Sequence, residues 1–157
     1  MSKLIFFIGP GGSGKSTICT QLEKHHPELK REKLDRFERD KDPSLGIRRI
    51  KEIEKSRNKN IYLIDVGAFF QKHISQEFWL PCKNRLITIY NKPEICYENY
   101  KKREAKPRMS YNEYLKKEYN PIRKELYAFS NFKIVTNEKI DSSVKKAYKI
   151  IIKILTK

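Results

Sequence analysis

Disulfide and zinc chemistry are missing from this sequence. Its three cysteines, Cys19, Cys82 and Cys96, are odd in number, show no C-x-x-C spacing and have no ligand-spaced His or Cys nearby. Neither a disulfide framework nor a zinc site is expected, and the thiols read as reduced. No apolar run approaches the roughly 18 residues of a membrane span. The apolar stretch near the amino terminus is too short for a secretory core and passes directly into glycines. The expectation is a soluble, cytoplasmic protein with no membrane partner. Internal repeats, low-complexity tracts and Pro/Gly/Ser linkers are absent too, so a second domain has no place to begin. One domain over residues 1–157 is expected, and a chain of that length can bury about two thirds of the surface its unfolded form exposes. Nothing calls for more than a monomer or weak dimer. Acidic residues are few: 19 Asp plus Glu against 35 Lys plus Arg give a net charge of +16. Such a field attracts nucleotides, phosphorylated metabolites and polyanions without choosing among them. A solvated lysine-rich surface accounts for the charge as well, so nucleic acid is left open as a partner.

Hydrophobic residues make up 38% and aromatics 11% of the chain, gathered in short runs that argue for a folded core rather than disorder. Residues 3–8 read as a buried parallel strand. From Gly14 the spacing turns helical through Ile18, Leu22 and His25, ahead of Pro27. Further strands are predicted over 61–66, 86–90 and 132–135, with a weakly signalled second strand near Leu34. Helices are predicted over 45–57, 93–103, 111–127 and 142–155, the last carrying Val144, Ala147, Tyr148, Ile151, Ile152 and Leu155 on one stripe. Strands alternating with helices predict an α/β fold, a three-layer αβα sandwich around a mostly parallel sheet of about five strands. Ligands bind such sheets along the edge formed by the strands' carboxyl ends.

The most specific feature is Gly9-Pro10-Gly11-Gly12-Ser13-Gly14-Lys15-Ser16, a complete match to G-x-x-x-x-G-K-[ST] placed between a strand and a helix. Its chemistry requires each residue type. Gly11, Gly12, Ser13, Gly14, Lys15, Ser16 and Thr17 would wrap backbone N–H groups around a phosphate, helped by the positive end of the following helix. Lys15 would reach the β and γ phosphates of ATP, and the Ser16 hydroxyl would offer a ligand to Mg²⁺.

Asp65 closes the apolar run 61–64 and is predicted as a second metal group, unless it is a turn residue ahead of Gly67. A phosphoryl acceptor needs a base or hydrogen-bond acceptor, and Asp35, in Lys33-Leu34-Asp35-Arg36-Phe37, is the candidate. The competing view places Asp35 in a charged surface stretch that runs on to Asp42. The basic segment 101–108 lies between two helical patterns and reads as a cation-bearing lid, spanning about residues 103–115.

With these residues in view, the chain resembles the shikimate kinase-like group of small P-loop kinases, related in shape to the nucleoside monophosphate kinases. The resemblance runs along nearly the whole chain, and the loop is its specific part. It implies that Asp35 contacts the acceptor hydroxyl, although the family's second Asp is replaced here by Phe37. It implies that Arg48, in Ile47-Arg48-Arg49-Ile50, binds an acceptor carboxylate. Gly67 stands where the family places glycines against the substrate ring, but Ala68 and Phe69 follow it. Lys106-Pro107 is similar to a lid Arg-Pro pair, with loss of the planar two-point grip of arginine. Arg123, in Pro121-Ile122-Arg123-Lys124-Glu125-Leu126-Tyr127, looks like the family's later functional arginine. Adenine contacts are implied at Arg103 and at the turn Thr136-Asn137-Glu138.

The expected activity is transfer of the γ phosphoryl of MgATP to a hydroxyl of a small metabolite or to a nucleotide. Two alternatives stay open: a polynucleotide or DNA-base kinase, and a nucleotide-dependent switch without rapid turnover. A switch of the G-domain type lacks its N-K-x-D base-reading motif, of which Asn91-Lys92-Pro93-Glu94 is only a partial echo.

Overall fold

The computed structural model describes residues 4–34, 41–103, 109–136 and 139–156. Five strands form one parallel sheet in the order β2-β3-β1-β4-β5. They are β1 (Leu4–Ile8), β2 (Leu29–Lys33), β3 (Ile61–Asp65), β4 (Leu86–Tyr90) and β5 (Phe132–Val135). Helices α1 (Lys15–His25), α2 (Pro43–Lys55), α3 (Ala68–His73), α4 (Gln76–Trp79), α5 (Pro93–Arg103), α6 (Tyr111–Glu118), α7 (Pro121–Phe129) and α8 (Ile140–Leu155) connect and cover the strands. The predicted three-layer αβα architecture is the one observed.

Alternation along β1 builds the two faces. Every residue of β1 is buried, and because successive side chains point to opposite faces of a strand, its apolar run must be covered on both. Leu4, Phe6 and Ile8 pack with Ile50 and Ile53 of α2, Phe70 of α3 and Leu126 of α7. Ile5 and Phe7 pack on the other face with Ile18 and Leu22 of α1 and Val144, Ala147 and Ile151 of α8. Each such side chain contributes roughly 1.5–3 kcal/mol on full burial, so β1 is fixed in the middle and its carboxyl end becomes a firm base for the glycine loop. The register Phe7↔Asp65 and Lys33↔Asp65 lines up the ends of β1, β3 and β2.

Two predicted elements moved. The second strand covers Leu29–Lys33 and Leu34 lies just past its end. As an edge strand that pairs with β3 among the described residues, its Leu-Lys-Arg-Glu-Lys sequence has one fully buried apolar residue, Leu29, and its charges suit the edge of a sheet. The single helix predicted over 111–127 is two helices. Pro121 has no N–H to continue the ladder of α6 and takes the first position of α7, while the Asn120 side chain caps that helix by accepting from Arg123 N at 2.9 Å. Helix α6 has its own start, a reciprocal capping box between Ser110 and Glu113. The break sets Glu118 and Arg123 on either side of a corner that faces the glycine loop.

Candidate active site

The loop follows β1 at the carboxyl edge of the sheet and leads into α1. Two of its glycines are required by the backbone. Gly12 has φ +85°, and a Cβ there would lie 2.0 Å from the Cys96 carbonyl oxygen of α5. Gly14, at φ 97°, is the N-cap of α1; no side chain caps that helix and its first turn carries no acid. The first-turn N–H groups of α1 thus have no side-chain acceptor from the cap, and they add to the positive end of the helix dipole. A cleft of about 820 Å³ opens over this end, lined by residues 9–17 and closed on the far side by Asn99, Arg103 and Glu118 among others.

At the carboxyl end of the loop, Asp65 organises the charges. Ser16 Oγ donates to its Oδ2 at 3.0 Å, Lys15 Nζ lies 3.2 Å from its Oδ1, and Arg31 of β2 donates to Oδ2 through Nε at 3.2 Å and a terminal nitrogen at 2.7 Å. Lys15 also donates to the Val66 carbonyl at 2.5 Å. Burial works to raise the Asp65 carboxyl, but the Lys15 charge, the Arg31 guanidinium and the Ser16 hydroxyl outweigh it and hold the group below its ordinary value. A carboxylate and a hydroxyl at this spacing are hard oxygen donors suited to Mg²⁺. Among the described residues no group of three or more His, Cys, Asp or Glu gathers to hold a metal, so an ion here would draw its other ligands from nucleotide phosphates and water. The residues therefore fit a magnesium-bound nucleotide.

The leading shoulder of the loop is held differently. Glu118 accepts from Gly11 N at 3.1 Å and is ion-paired with Arg123. Arg123 is 1% exposed. Its guanidinium also donates to the carbonyls of Lys117 at 3.3 Å and Gly9 at 3.2 Å, and to Gln71 Oε1 at 3.3 Å. Gln71, buried on α3, donates to the Gly9 and Val66 carbonyls at 3.1 and 2.8 Å and accepts from Gly9 N at 3.3 Å. Two further side chains grip the loop: Tyr114 donates to the Gly11 carbonyl and Asn99 to that of Gly12 at 3.0 Å. A Cβ on Gly11 would sit 2.9 Å from Glu118 Oε1, so glycine is what lets the carboxylate approach. Burial drives the Tyr114 phenol well above its usual range, so it stays a donor.

The structure brings Gly11, Gly12, Ser13, Gly14, Lys15, Ser16, Thr17, Asp65, Gly67, Arg103 and Arg123 to one cleft. Arg103 ends α5 on the cleft wall, and Gly67 precedes α3 as its N-cap. Thr136, the described part of the implied adenine turn, donates to the Ser13 carbonyl at 2.6 Å. Arg48 is exposed on α2 and does not line the cleft, because the buried stripe of that helix is Gly46, Ile50 and Ile53. Asp35, Phe37 and Lys106 lie outside the described residues, as does most of the basic lid segment. Sequence reasoning missed Arg31, Gln71 and Glu118. Gln71 had one available signal, a lone amide in the apolar start of α3. Glu118 is separated from Gly11 by 107 positions and offered none. A second cavity of about 810 Å³, lined by Tyr90, Leu115, Tyr119 and Tyr127, includes no part of the loop.

No protein-family model matches the chain, and no curated protein matches it in sequence. Among solved structures it is similar to shikimate kinase from Bacteroides thetaiotaomicron, with a TM-score of 0.63 and 16% identity over 95% of this chain and 98% of that one. An uncharacterized protein from Eubacterium ventriosum is similar with a TM-score of 0.60 and 12% identity, again over 95% and 98% of the two chains. The likeness extends over nearly the full length of both, and this chain shares the fold of that shikimate kinase structure.

Proposed function

We propose that this protein is an ATP-dependent phosphotransferase that moves the γ phosphoryl of MgATP to a hydroxyl of a small acceptor. The observation that carries the reading is the assembly of Lys15, Ser16 and Asp65 at the uncapped start of α1, with Ser16 Oγ 3.0 Å from Asp65. Bound MgATP would supply the transferable phosphoryl group and a metal charge to neutralise it. The chain's own groups bind and orient. The N–H groups of Gly12 and of residues 14–16 would wrap a phosphate, Ser13 N being bonded to the Pro10 carbonyl at 3.2 Å. Ser16 and Asp65 would hold the metal side, and Lys15 would exchange its contacts with Asp65 and Val66 for phosphate oxygens. Arg103 and Lys102 line the cleft at the end of α5 and would meet charge on the transferred group. Asp35 is the proposed acceptor-side base, and Lys106 a proposed lid cation.

Purified protein incubated with magnesium and γ-labelled ATP should label hydroxyl acceptors from a metabolite panel, and Lys15→Ala should reduce the rate by about 10²–10³-fold. Equal labelling by the variant would remove the proposal. A second reading, transfer to a nucleic-acid strand, draws on the cations Lys33, Lys102, Arg103 and Lys117 around the same cleft. It requires binding to an oligonucleotide that weakens steeply with salt.

A further inference from the structure

Both terminal nitrogens of Arg123 are spoken for inside the chain, while its buried Nε has no hydrogen-bond partner among the described residues. One terminal nitrogen serves Glu118 and the Lys117 carbonyl, the other serves the Gly9 carbonyl and Gln71, and the residue is 1% exposed. A carboxylate entering the cleft would need to displace Glu118 to pair with those terminal nitrogens. Glu118 itself is not saturated. Both of its described contacts, to Gly11 N and to Arg123, use Oε2. Its Oε1 has no donor among the described residues, yet it is not a sealed, unpartnered atom, and Glu118 lines the cleft. The shoulder therefore presents a fixed acceptor oxygen, with its negative charge matched from behind.

Position narrows what that oxygen meets. Thr136 packs against Gly14 and donates to Ser13, at the loop end that leads into α1. Glu118 holds Gly11, at the opposite end of the loop, with Gly67 and Ala68 lining the same cleft. Because Gly11 N is already bonded to Glu118, it is not a donor for phosphate. We infer that Glu118 is a specificity-determining residue that reads the phosphoryl acceptor through Oε1, and that the part of the acceptor seated at Gly9–Gly11 is an uncharged, hydroxyl-rich group such as a polyol or sugar ring rather than a carboxylate. A hydroxyl can donate to Oε1 without disturbing the pair behind it. A carboxylate has no proton to donate, repels Glu118, and finds both terminal nitrogens of Arg123 occupied and its Nε buried. Sites built to receive a hydrogen bond discriminate strongly against groups that cannot give one, and a like charge beside the receiving group adds rejection.

The inference rests on the phosphotransferase reading, and the test separates the two. Wild type and Glu118→Gln are assayed with labelled MgATP and matched neutral and acid probes: glycerol and glycerate, glucitol and gluconate, ribose and ribonate. Binding of each probe is followed in parallel by its shift of the melting temperature in the presence of magnesium and ADP, and ADP affinity is measured separately. Wild type should favour the neutral member by at least about tenfold, and Glu118→Gln, which leaves Arg123 without a matching charge, should narrow or reverse that ratio by about tenfold. Preference of wild type for the acids overturns the inference. So does a ratio unchanged in Glu118→Gln, or failure of every neutral probe both to accept phosphate and to raise the melting temperature while ADP still binds. The wild-type comparison stands even if the variant does not fold. Loss of ADP binding by wild type would instead strike the phosphotransferase reading, and the inference would fall with it.

Discussion

The two ends of the glycine loop each meet a buried carboxylate held by cations, and they are built to opposite purposes. Asp65 is held by Lys15 and Arg31, whose side chains keep 12% and 22% of their exposure, and by a serine hydroxyl. Of these partners Lys15 and Ser16 line the cleft and can be exchanged for phosphate or metal without uncovering anything buried. Glu118 is held by Arg123, whose side chain is 1% exposed and which also ties together Gly9, Lys117 and Gln71. Exchange there would break a closed network. One end of the loop is a working site and the other is its anchor, with a single accessible oxygen left over.

The largest predicted effect breaks the anchor. Arg123→Ala leaves Glu118 buried without its cation and should cost about 3–5 kcal/mol in denaturant unfolding. Lys15→Ala, on the working side, should cost less in unfolding, because Arg31 and Ser16 still hold Asp65, while removing about 10²–10³ of transfer rate. A reversal of those two outcomes would invert the comparison. Gly12→Ala tests the loop itself: the positive φ and the 2.0 Å approach to the Cys96 carbonyl should together destabilise by about 1–3 kcal/mol, with nucleotide binding lost as the loop shifts.

Asp65→Asn gives a smaller, pH-dependent signal. The folded carboxyl titrates below its ordinary value, so the stability it contributes is complete above the unfolded carboxylate pKa of about 3.9 and fades as pH falls toward the folded value. The stability gap between wild type and Asp65→Asn should therefore be constant near neutrality and shrink below about pH 4. A gap that grows on acidification would contradict the ion-pair assignment. Smallest is Asn120→Ala, which removes the cap that starts α7 and should cost about 1 kcal/mol.

The same contrast explains what the sequence could disclose. The working end is local: loop, Lys15 and Ser16 are contiguous, and Asp65 is found because a buried strand that ends in a carboxylate is a recognisable pattern. The sheet was legible wherever strands are buried on both faces, as in β1 and β4, and poorly so at the charged edge strand β2. The anchor depends on tertiary contact between residues far apart in the chain. Arg123 was singled out only by family likeness, and its ion pair with Glu118 arises because Pro121 breaks what reads as one helix. Asn120-Pro121 was the available clue, a capping residue followed by a residue that opens helices. Arg48 lies outside the cleft lining for a related reason: helical spacing placed it on α2, but the face that α2 buries is the one carrying Ile50 and Ile53.

If the loop with Lys15, Ser16 and Asp65 is a magnesium-nucleotide site, titrating ATP into wild type and Lys15→Ala, with and without magnesium, will show it. Wild type should bind saturably and more tightly with magnesium, and the variant at least about tenfold more weakly; equal affinity in the two proteins, or no binding by either, would rule the site out.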